Sequence, residues 1–239
     1  MTETLAVIMP VYNEEGIIAA VIKRWSSALD ALGIDYSVHA YNDGSKDKSL
    51  PILTALAQTH PTLTVHDKTN SGHGSTILQG YRENAGRYTW LFQIDSDNEM
   101  GPECFHVLWE NRKQYDFLVG IRDGRNQPLS RKIVSFVSRL CVRVFYGKGV
   151  WDVNSPYRLM RSEKFERIYN MIPADTFAPN VVISGMAARL KLRFFECPVL
   201  HENRKTGMVS IKKWKLFKAA SRSFKQTIAF SRKLNKCTK

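Results

Sequence analysis

Apolar positions along the first hundred residues switch between two periods. Leu5 to Pro10 is a short continuous apolar run ended by a proline, and Ile34 to Tyr41 alternates before the turn-forming Asn42-Asp43-Gly44-Ser45; both predict strands. Between them Ile17, Ile18, Val21, Ile22 and Trp25 recur at helical spacing, and Gly33 stands where a helix would stop, predicting a helix over 14–32. The same patterns predict a helix over 48–58, a strand over 63–67, a helix over 76–85, a strand over 89–94, a helix over 102–112 and a strand over 115–122. A helix over 130–146 carries Ile133, Phe136, Val137, Leu140 and Val144 with Arg131, Lys132, Arg139 and Arg143 around them, which suits either a core helix with solvated cations or a face turned to a membrane. Strand and helix alternate throughout, so the expected fold is a doubly wound, mainly parallel α/β sheet with ligands at the carboxyl ends of its strands. No repeat or linker interrupts the chain before residue 205, so one domain over 1–205 and a tail over 206–239 are expected.

Composition narrows the class. With 239 residues, 44% of them hydrophobic, the chain can bury one substantial core, which excludes disorder and fibrous repeats. No run approaches the roughly 18 apolar residues of a membrane span. The start MTETLAVIMPVYNEE lacks a basic leader region, so a cytoplasmic location is expected. Four cysteines, Cys104, Cys141, Cys197 and Cys237, lie far apart without a C-x-x-C pair, which argues for free thiols over zinc or disulfides.

The net charge of +13 is unevenly placed. Twelve of the 35 Lys and Arg fall between Asn203 and Lys239, where there is no Asp or Glu, leaving 23 bases against 22 acids before them. A nucleic-acid protein would spread its cations over the folded face with aromatics between them, so no nucleic-acid partner is expected. In the tail, Trp214, Phe217, Ala220, Phe224 and Ile228 form one helical stripe flanked by Lys212, Lys213, Lys215, Lys218, Arg222 and Lys225. Such a basic amphipathic helix suits an anionic membrane surface, and it equally suits packing on the domain or an oligomer contact.

Three strand ends concentrate polar residues: PVYNEE, NDGSKD and DSDNE. Asp95 and Asp97, two apart beyond a strand, are placed to bind a divalent cation such as Mg²⁺ or Mn²⁺, with Glu99 as a third oxygen ligand; such a cation commonly shares its shell with phosphates, which points to a nucleotide diphosphate. In Asn70-Ser71-Gly72-His73-Gly74, the glycines permit close backbone approach, and the following helix can aim its N-terminus at an anion.

In order, VIMPVYNEE, YNDGSKDKS, NSGHGSTILQGY, QIDSDNE, GIRDGR, DVNSPYRLMR and ECPVLHENRKTG resemble glycosyltransferase family 2, and most nearly its branch of dolichyl-phosphate mannose synthase and bacterial polyprenyl-phosphate glycosyltransferases. The resemblance spans residues 5–207 and implies a GT-A fold: a Rossmann-like, mixed but mainly parallel sheet flanked by helices. It implies that Pro10, Tyr12, Glu14, Asn42 and Asp43 hold the base and ribose of a nucleotide-sugar donor. Gly72 and Ser96 would join the donor site, Asp95, Asp97 and Glu99 would hold Mg²⁺ or Mn²⁺, and Arg122 and Arg204 would hold the diphosphate. Arg131 with Ser135 would receive an acceptor phosphate, and Asp152, Ser155 and Arg158 match D-x-x-S-G-[FY]-R. Three departures stand out: Asn42 replaces a usual Asp, Glu99 the Gln common in the lipid-phosphate branch, and Pro156 a usual Gly.

The expected reaction is inverting transfer of a sugar from a UDP- or, less in keeping with the family, GDP-linked donor. The stretch FAPNVVISGMA lacks the carboxylate that activates hydroxyl acceptors in this family, which favours an already ionised polyprenyl phosphate. Asp175 or Asp152 acting as a base toward a saccharide is the alternative. A nucleotidyltransferase is disfavoured, since its Gly-rich loop is missing after the first strand, and a non-catalytic basic adaptor would leave the carboxylates and arginines without purpose. The enzyme is expected to lie peripherally on the inner face of a membrane.

Overall fold

In the computed structural model, which describes residues 3–123, 129–202 and 213–237, strand β1 (Thr4–Val11) is buried from Leu5 onward on both faces. Such continuous burial is what a central parallel strand demands. β1 pairs in parallel with β2 (Asp35–Asp43) on one side and β4 (Trp90–Gln93) on the other, and β3 (Leu63–Lys68) pairs in parallel with β2. Beyond β4 the sheet continues through β6 (Arg158–Arg161) to β5 (Phe117–Asp123) and β7 (Phe194–Leu200), giving the order β3-β2-β1-β4-β6-β5-β7. Only β6 runs antiparallel to its neighbours, so the sheet is mixed and mostly parallel.

Alternation along β1 sorts two cores. Leu5, Val7, Met9 and Val11 pack with α1 (Ile18–Ala31), α2 (Ser49–Ala57) and α4 (Phe105–Asn111), around Trp25, Phe92 and Phe105. Ala6 and Ile8 pack on the opposite face with α3 (His73–Asn84), α6 (Ser162–Met171) and α7 (Pro179–Arg189). Helix α5 (Leu129–Phe145) and the 25-residue helix α8 (Lys213–Cys237) join this second layer.

Sequence patterning left β6, α6, α7 and β7 without elements. In β6 two arginines masked the strand: Arg158 is fully buried, its guanidinium donating to the carbonyls of Ser155 (2.7 Å), Asn180 (3.1 Å) and Val153 (3.2 Å). In α7 burial extends from Pro179 to Ala187, so no amphipathic period exists to read. The tail stripe is met by a different arrangement. Among the described side chains of α8, Thr227, Phe230 and Ser231 are buried, the Tyr146 hydroxyl donates to Thr227 O (2.7 Å), and Ser231 Oγ donates to Phe145 O (2.9 Å). Phe224 is 39% exposed, while Trp214 and Phe217 lie outside the described side chains.

Candidate active site

The strand order turns back between β1 and β4, and at their carboxyl ends lies a cavity of about 740 Å³. Pro10, Tyr12 and Glu14 line it from the β1 end, Asp43 from the β2 end and Gly72 from the start of α3. Asp95, Ser96 and Asp97 follow β4, Arg122 comes from β5, and Ser135 from α5. Among the sequence-predicted residues, Asn42, Glu99 and Asp152 do not reach this wall, and the side chains of Arg131 and Arg204 lie outside those described.

Two loops close the β1–β2 end of the cavity by interlocking. Asn13 adopts φ 55°, a left-handed conformation Asn tolerates, and its Oδ1 accepts from the Lys46 N–H (2.7 Å) while its own N–H donates to Ser45 Oγ (3.0 Å). The Glu14 N–H donates to Ser49 Oγ (2.8 Å). The turn residues after β1 and β2 therefore hold each other, and the cavity wall is built on that contact.

Asp43 is the hub of the next loop. Its Oδ1 accepts from Lys68 Nζ (2.5 Å) and the Ser71 N–H (2.8 Å), and Oδ2 accepts from the Gly72 N–H (2.9 Å). Burial opposes its ionisation, but the hydrogen bonds from Lys68 and Ser71 outweigh it and hold the carboxyl below its ordinary range. Gly72 takes φ 91°, and a Cβ on Gly74 would stand 2.2 Å from Phe177 O, so both glycines are required where α3 begins. Lys68 escaped sequence reasoning; the signal was its register opposite Asp43 across β2 and β3. Asn42 takes a different path from the one expected. Adjacent strand residues point to opposite faces, and Asn42, 1% exposed, donates from Nδ2 to Asp67 Oδ1 (2.7 Å) behind the cavity.

Asp95 is anchored from below. Gln93 Nε2 donates to Asp95 Oδ1 (3.3 Å), and Gln93 Oε1 accepts from the Tyr81 hydroxyl and Asn180 Nδ2 (2.7 Å each), a buried junction of β4, α3 and α7. His73 Nε2 lies 3.6 Å from the same Asp95 oxygen. Asp97 Oδ1 accepts from the Glu99 N–H (3.2 Å). Glu99 engages His201, whose Nε2 is 2.9 Å from Glu99 Oε2, and among the described residues no three metal-capable side chains form a preformed group. His201 was missed because a lone His after an apolar strand has no spacing partner; it ties the segment after β7 to the acidic loop, with Glu202 N–H donating to Glu99 O (2.8 Å).

On the opposite wall, Arg122 clamps Asp152 through two bonds, Nε to Oδ2 (2.7 Å) and Nη2 to Oδ1 (2.9 Å). This fork-on-fork contact fixes the guanidinium plane, and no described residue accepts from its Nη1. The Asp152 carboxylate thus acts behind Arg122. Ser155 Oγ donates to Gly120 O (2.6 Å), and Pro156 reaches the cavity wall. Asp175 also lines the cavity and pairs with Arg222 of α8 at 3.1 Å.

A second, apolar groove of about 250 Å³ runs between α5 and α8, lined by Ile133, Val137, Cys141, Ala220, Phe224 and Thr227. Val134, Ser138, Val181, Ala220 and Ser223 line both groove and cavity, so the two are continuous.

The chain is similar to known proteins. The model of the family described as Glycosyl transferase family 2 matches residues 6–169. An undecaprenyl-phosphate 4-deoxy-4-formamido-L-arabinose transferase of Klebsiella pneumoniae (strain 342) is 28% identical over 206 residues, which cover 85% of this chain; the chain spans 61% of that relative's length. A glucosyl-3-phosphoglycerate synthase from Mycobacterium tuberculosis, in complex with Mn²⁺ and UDP-glucose, superposes with TM-score 0.68 at 14% identity, covering 96% of this chain and 79% of its own. A mannosyltransferase from Pyrobaculum calidifontis, in complex with GDP-Man and Mn²⁺, superposes with TM-score 0.61 at 15% identity, covering 97% and 74%. The fold is GT-A.

Proposed function

The chain belongs to glycosyl transferase family 2, and from that premise we propose that it transfers a sugar, with inversion, from a nucleotide diphosphate donor to a membrane polyprenyl phosphate. One juxtaposition carries this reading: Asp95, Asp97 and Arg122 line a cavity that is continuous with an apolar groove. A charged sugar donor and a lipid-borne acceptor need these two environments side by side. The acceptor named for the Klebsiella relative belongs to the same class.

Pro10, Tyr12 and Glu14 hold the base and ribose, and Asp43 keeps Ser71 and Gly72 in place beneath the diphosphate. Two carboxylates on an open wall suit a hard cation that completes its shell with phosphate oxygens. Asp95 and Asp97, with the Glu99–His201 pair beside them, would hold Mg²⁺ or Mn²⁺, which would supply charge neutralisation to the departing diphosphate. Arg122, oriented by Asp152, gives its outward donors to the same charge, joined by Arg204. Ser135 and Arg131 receive the acceptor phosphate. That phosphate is ionised at neutral pH, so it attacks the anomeric carbon without a general base, in keeping with an α7 that carries no acid. UDP is the proposed nucleotide. Attachment to the membrane is peripheral on its inner face; no helix among the described residues is long and apolar enough to cross a bilayer.

A second reading, transfer to a saccharide hydroxyl, is favoured by Asp175, a carboxylate on the cavity wall that could serve as base. The deciding experiment supplies UDP- and GDP-sugars with Mn²⁺ and offers either polyprenyl phosphate or an oligosaccharide. Metal-dependent label in the lipid, lost in Asp97→Ala, is the expected result. Label in the oligosaccharide alone, abolished by Asp175→Asn, establishes the second reading, and no binding of any nucleotide overturns both.

A further inference from the structure

Helix α8 reaches the cavity as well as the core. Ala220, Arg222 and Ser223 line the cavity wall, and Ala220 and Ser223 also line the apolar groove, so this turn of α8 stands where groove opens into cavity. On α5, Val134 and Ser138 mark the same junction, and Ser135 lines its cavity side. A ligand made of an apolar chain with a charged end would place that end here, because the chain gains from burial in the groove while the charge needs the polar partners of the cavity.

Arg222 brings a positive charge to that junction. Among the described residues lining the cavity, only Arg122 and Arg222 carry a guanidinium, against the carboxylates of Glu14, Asp43, Asp95, Asp97 and Asp175. Arg122 is fixed by its two bonds to Asp152, but Arg222 is held through one nitrogen: Nη2 donates to Asp175 Oδ2 and to Asp175 O (3.1 Å each). The Arg222 and Asp175 side chains are 55% and 73% exposed, and an ion pair so open to water is weak and readily exchanged. The backbone beneath is held separately. One turn along α8, Gln226 Oε1 accepts from the Phe177 N–H (2.9 Å) and its Nε2 donates to Asp175 O (3.2 Å), so the loop before α7 stays in place when the carboxylate lets go.

We propose that Arg222 is an acceptor-recognition residue: its guanidinium takes the phosphate of a polyprenyl phosphate whose chain lies in the groove, and Asp175 is the counter-ion that the phosphate displaces. The inference rests on the proposed function and adds to it a residue of α8, beyond the residues 6–169 that the family model matches. A phosphate monoester offers the guanidinium fork more charge and more acceptor oxygens than a carboxylate does, so the exchange runs toward the ligand. By its place in the sequence Arg222 belongs with the cations that flank the tail stripe; the fold turns it to the cavity instead. Asp175 is then a positioning residue, which keeps the guanidinium at the junction until an acceptor arrives.

Calorimetry of the full chain with farnesyl phosphate and with farnesol, together with label transfer to polyprenyl phosphate in neutral detergent, tests it. Wild type should bind farnesyl phosphate well above farnesol; equal binding of the two overturns the proposal. Arg222→Ala should bind farnesyl phosphate about tenfold more weakly and raise KM for the lipid acceptor by about as much, while keeping its affinity for UDP and its thermal midpoint. Arg222→Lys should recover part of the loss. Asp175→Asn should lower KM for the lipid a few-fold, since the phosphate no longer has a competitor; abolished transfer in this variant makes Asp175 a base and overturns the proposal. Arg222→Ala/Asp175→Asn should stay weak, and its return to the wild-type KM would show that Arg222 only masks a repelling carboxylate. An unchanged KM in Arg222→Ala, with lipid transfer intact, removes Arg222 from the acceptor site and leaves the transferase reading standing. Binding of farnesyl phosphate that depends on Arg222, without transfer from any nucleotide sugar, keeps the phosphate site and removes the transferase reading.

Discussion

The two ends of the cavity are built on opposite principles. At the end we propose for the donor, polar side chains are committed in advance: Asp43 has both oxygens engaged, the loops after β1 and β2 bond to each other, and Asp95 rests on a buried amide and hydroxyl junction. At the end we propose for the acceptor, α5 and α8 leave an apolar groove and an exposed apolar face, with few polar contacts to fix them. Preorganised dipoles suit recognition of a small charged donor, where a misplaced group costs directional bonds. Non-directional burial suits a long apolar acceptor, which needs area more than alignment.

The sharpest way to break this contrast is at the carboxylates. Asp97→Ala is expected to lower transfer by about a thousandfold or more with any acceptor, read as kcat/KM in a label-transfer assay; loss confined to the lipid acceptor would remove the assignment of Asp97 to the donor end. Arg122→Lys keeps the charge but not the two-bond clamp on Asp152, and about a hundredfold loss is expected, mostly in kcat. Wild-type rates in this variant would show that position counts for less than charge.

Stability changes sharpen the comparison further. Phe230→Ala removes a buried ring of α8 from the second core and should cost about 3 kcal/mol in denaturant melts. The tail is therefore not dispensable, and its deletion cannot serve as a clean test of membrane attachment. Gly74→Ala forces a methyl group against Phe177 O and is expected to cost about 2 kcal/mol while weakening nucleotide binding.

A further effect is one of pH. His39 is 3% exposed, its Nδ1 is 3.0 Å from His66 Nε2, and its Nε2 is 3.0 Å from the Tyr88 hydroxyl. Burial, aided by the neighbouring His66 and Arg87 and opposed by Glu83, lowers its pKa from 6.5 to about 4. The unfolded chain thus takes up a proton that the fold refuses, so this contribution to stability is present above pH 6.5 and is lost as pH falls toward 4. Tm measured across that window should fall, and His39→Phe should flatten part of the slope.

Much of this was legible in residue order, and the failures have identifiable physics. The strands and helices of the first half could be read because turn residues punctuate two clean periods. Pro10, Tyr12, Glu14, Asp43, Gly72, Asp95, Ser96, Asp97, Arg122 and Ser135 do converge on one cavity. Asn42 stands off the cavity wall, and a motif does not say which face of a strand a residue occupies. Lys68 and His201 were invisible because their partners, Asp43 and Glu99, lie 25 and about a hundred residues away in the chain.

Residue order alone settled the α/β alternation, the family and the set of strand ends where chemistry gathers, since these depend on local periodicity and on motifs whose order survives without contacts. Packing alone decided that Asp152 stands behind Arg122, that Glu99 engages His201, and that α8 buries Thr227, Phe230 and Ser231 while α5 keeps its apolar row outside. The ion pairs join residues far apart in the chain, and the last case turns on which of two amphipathic surfaces finds a neighbour, since a helix carries no record of its neighbours in its own period.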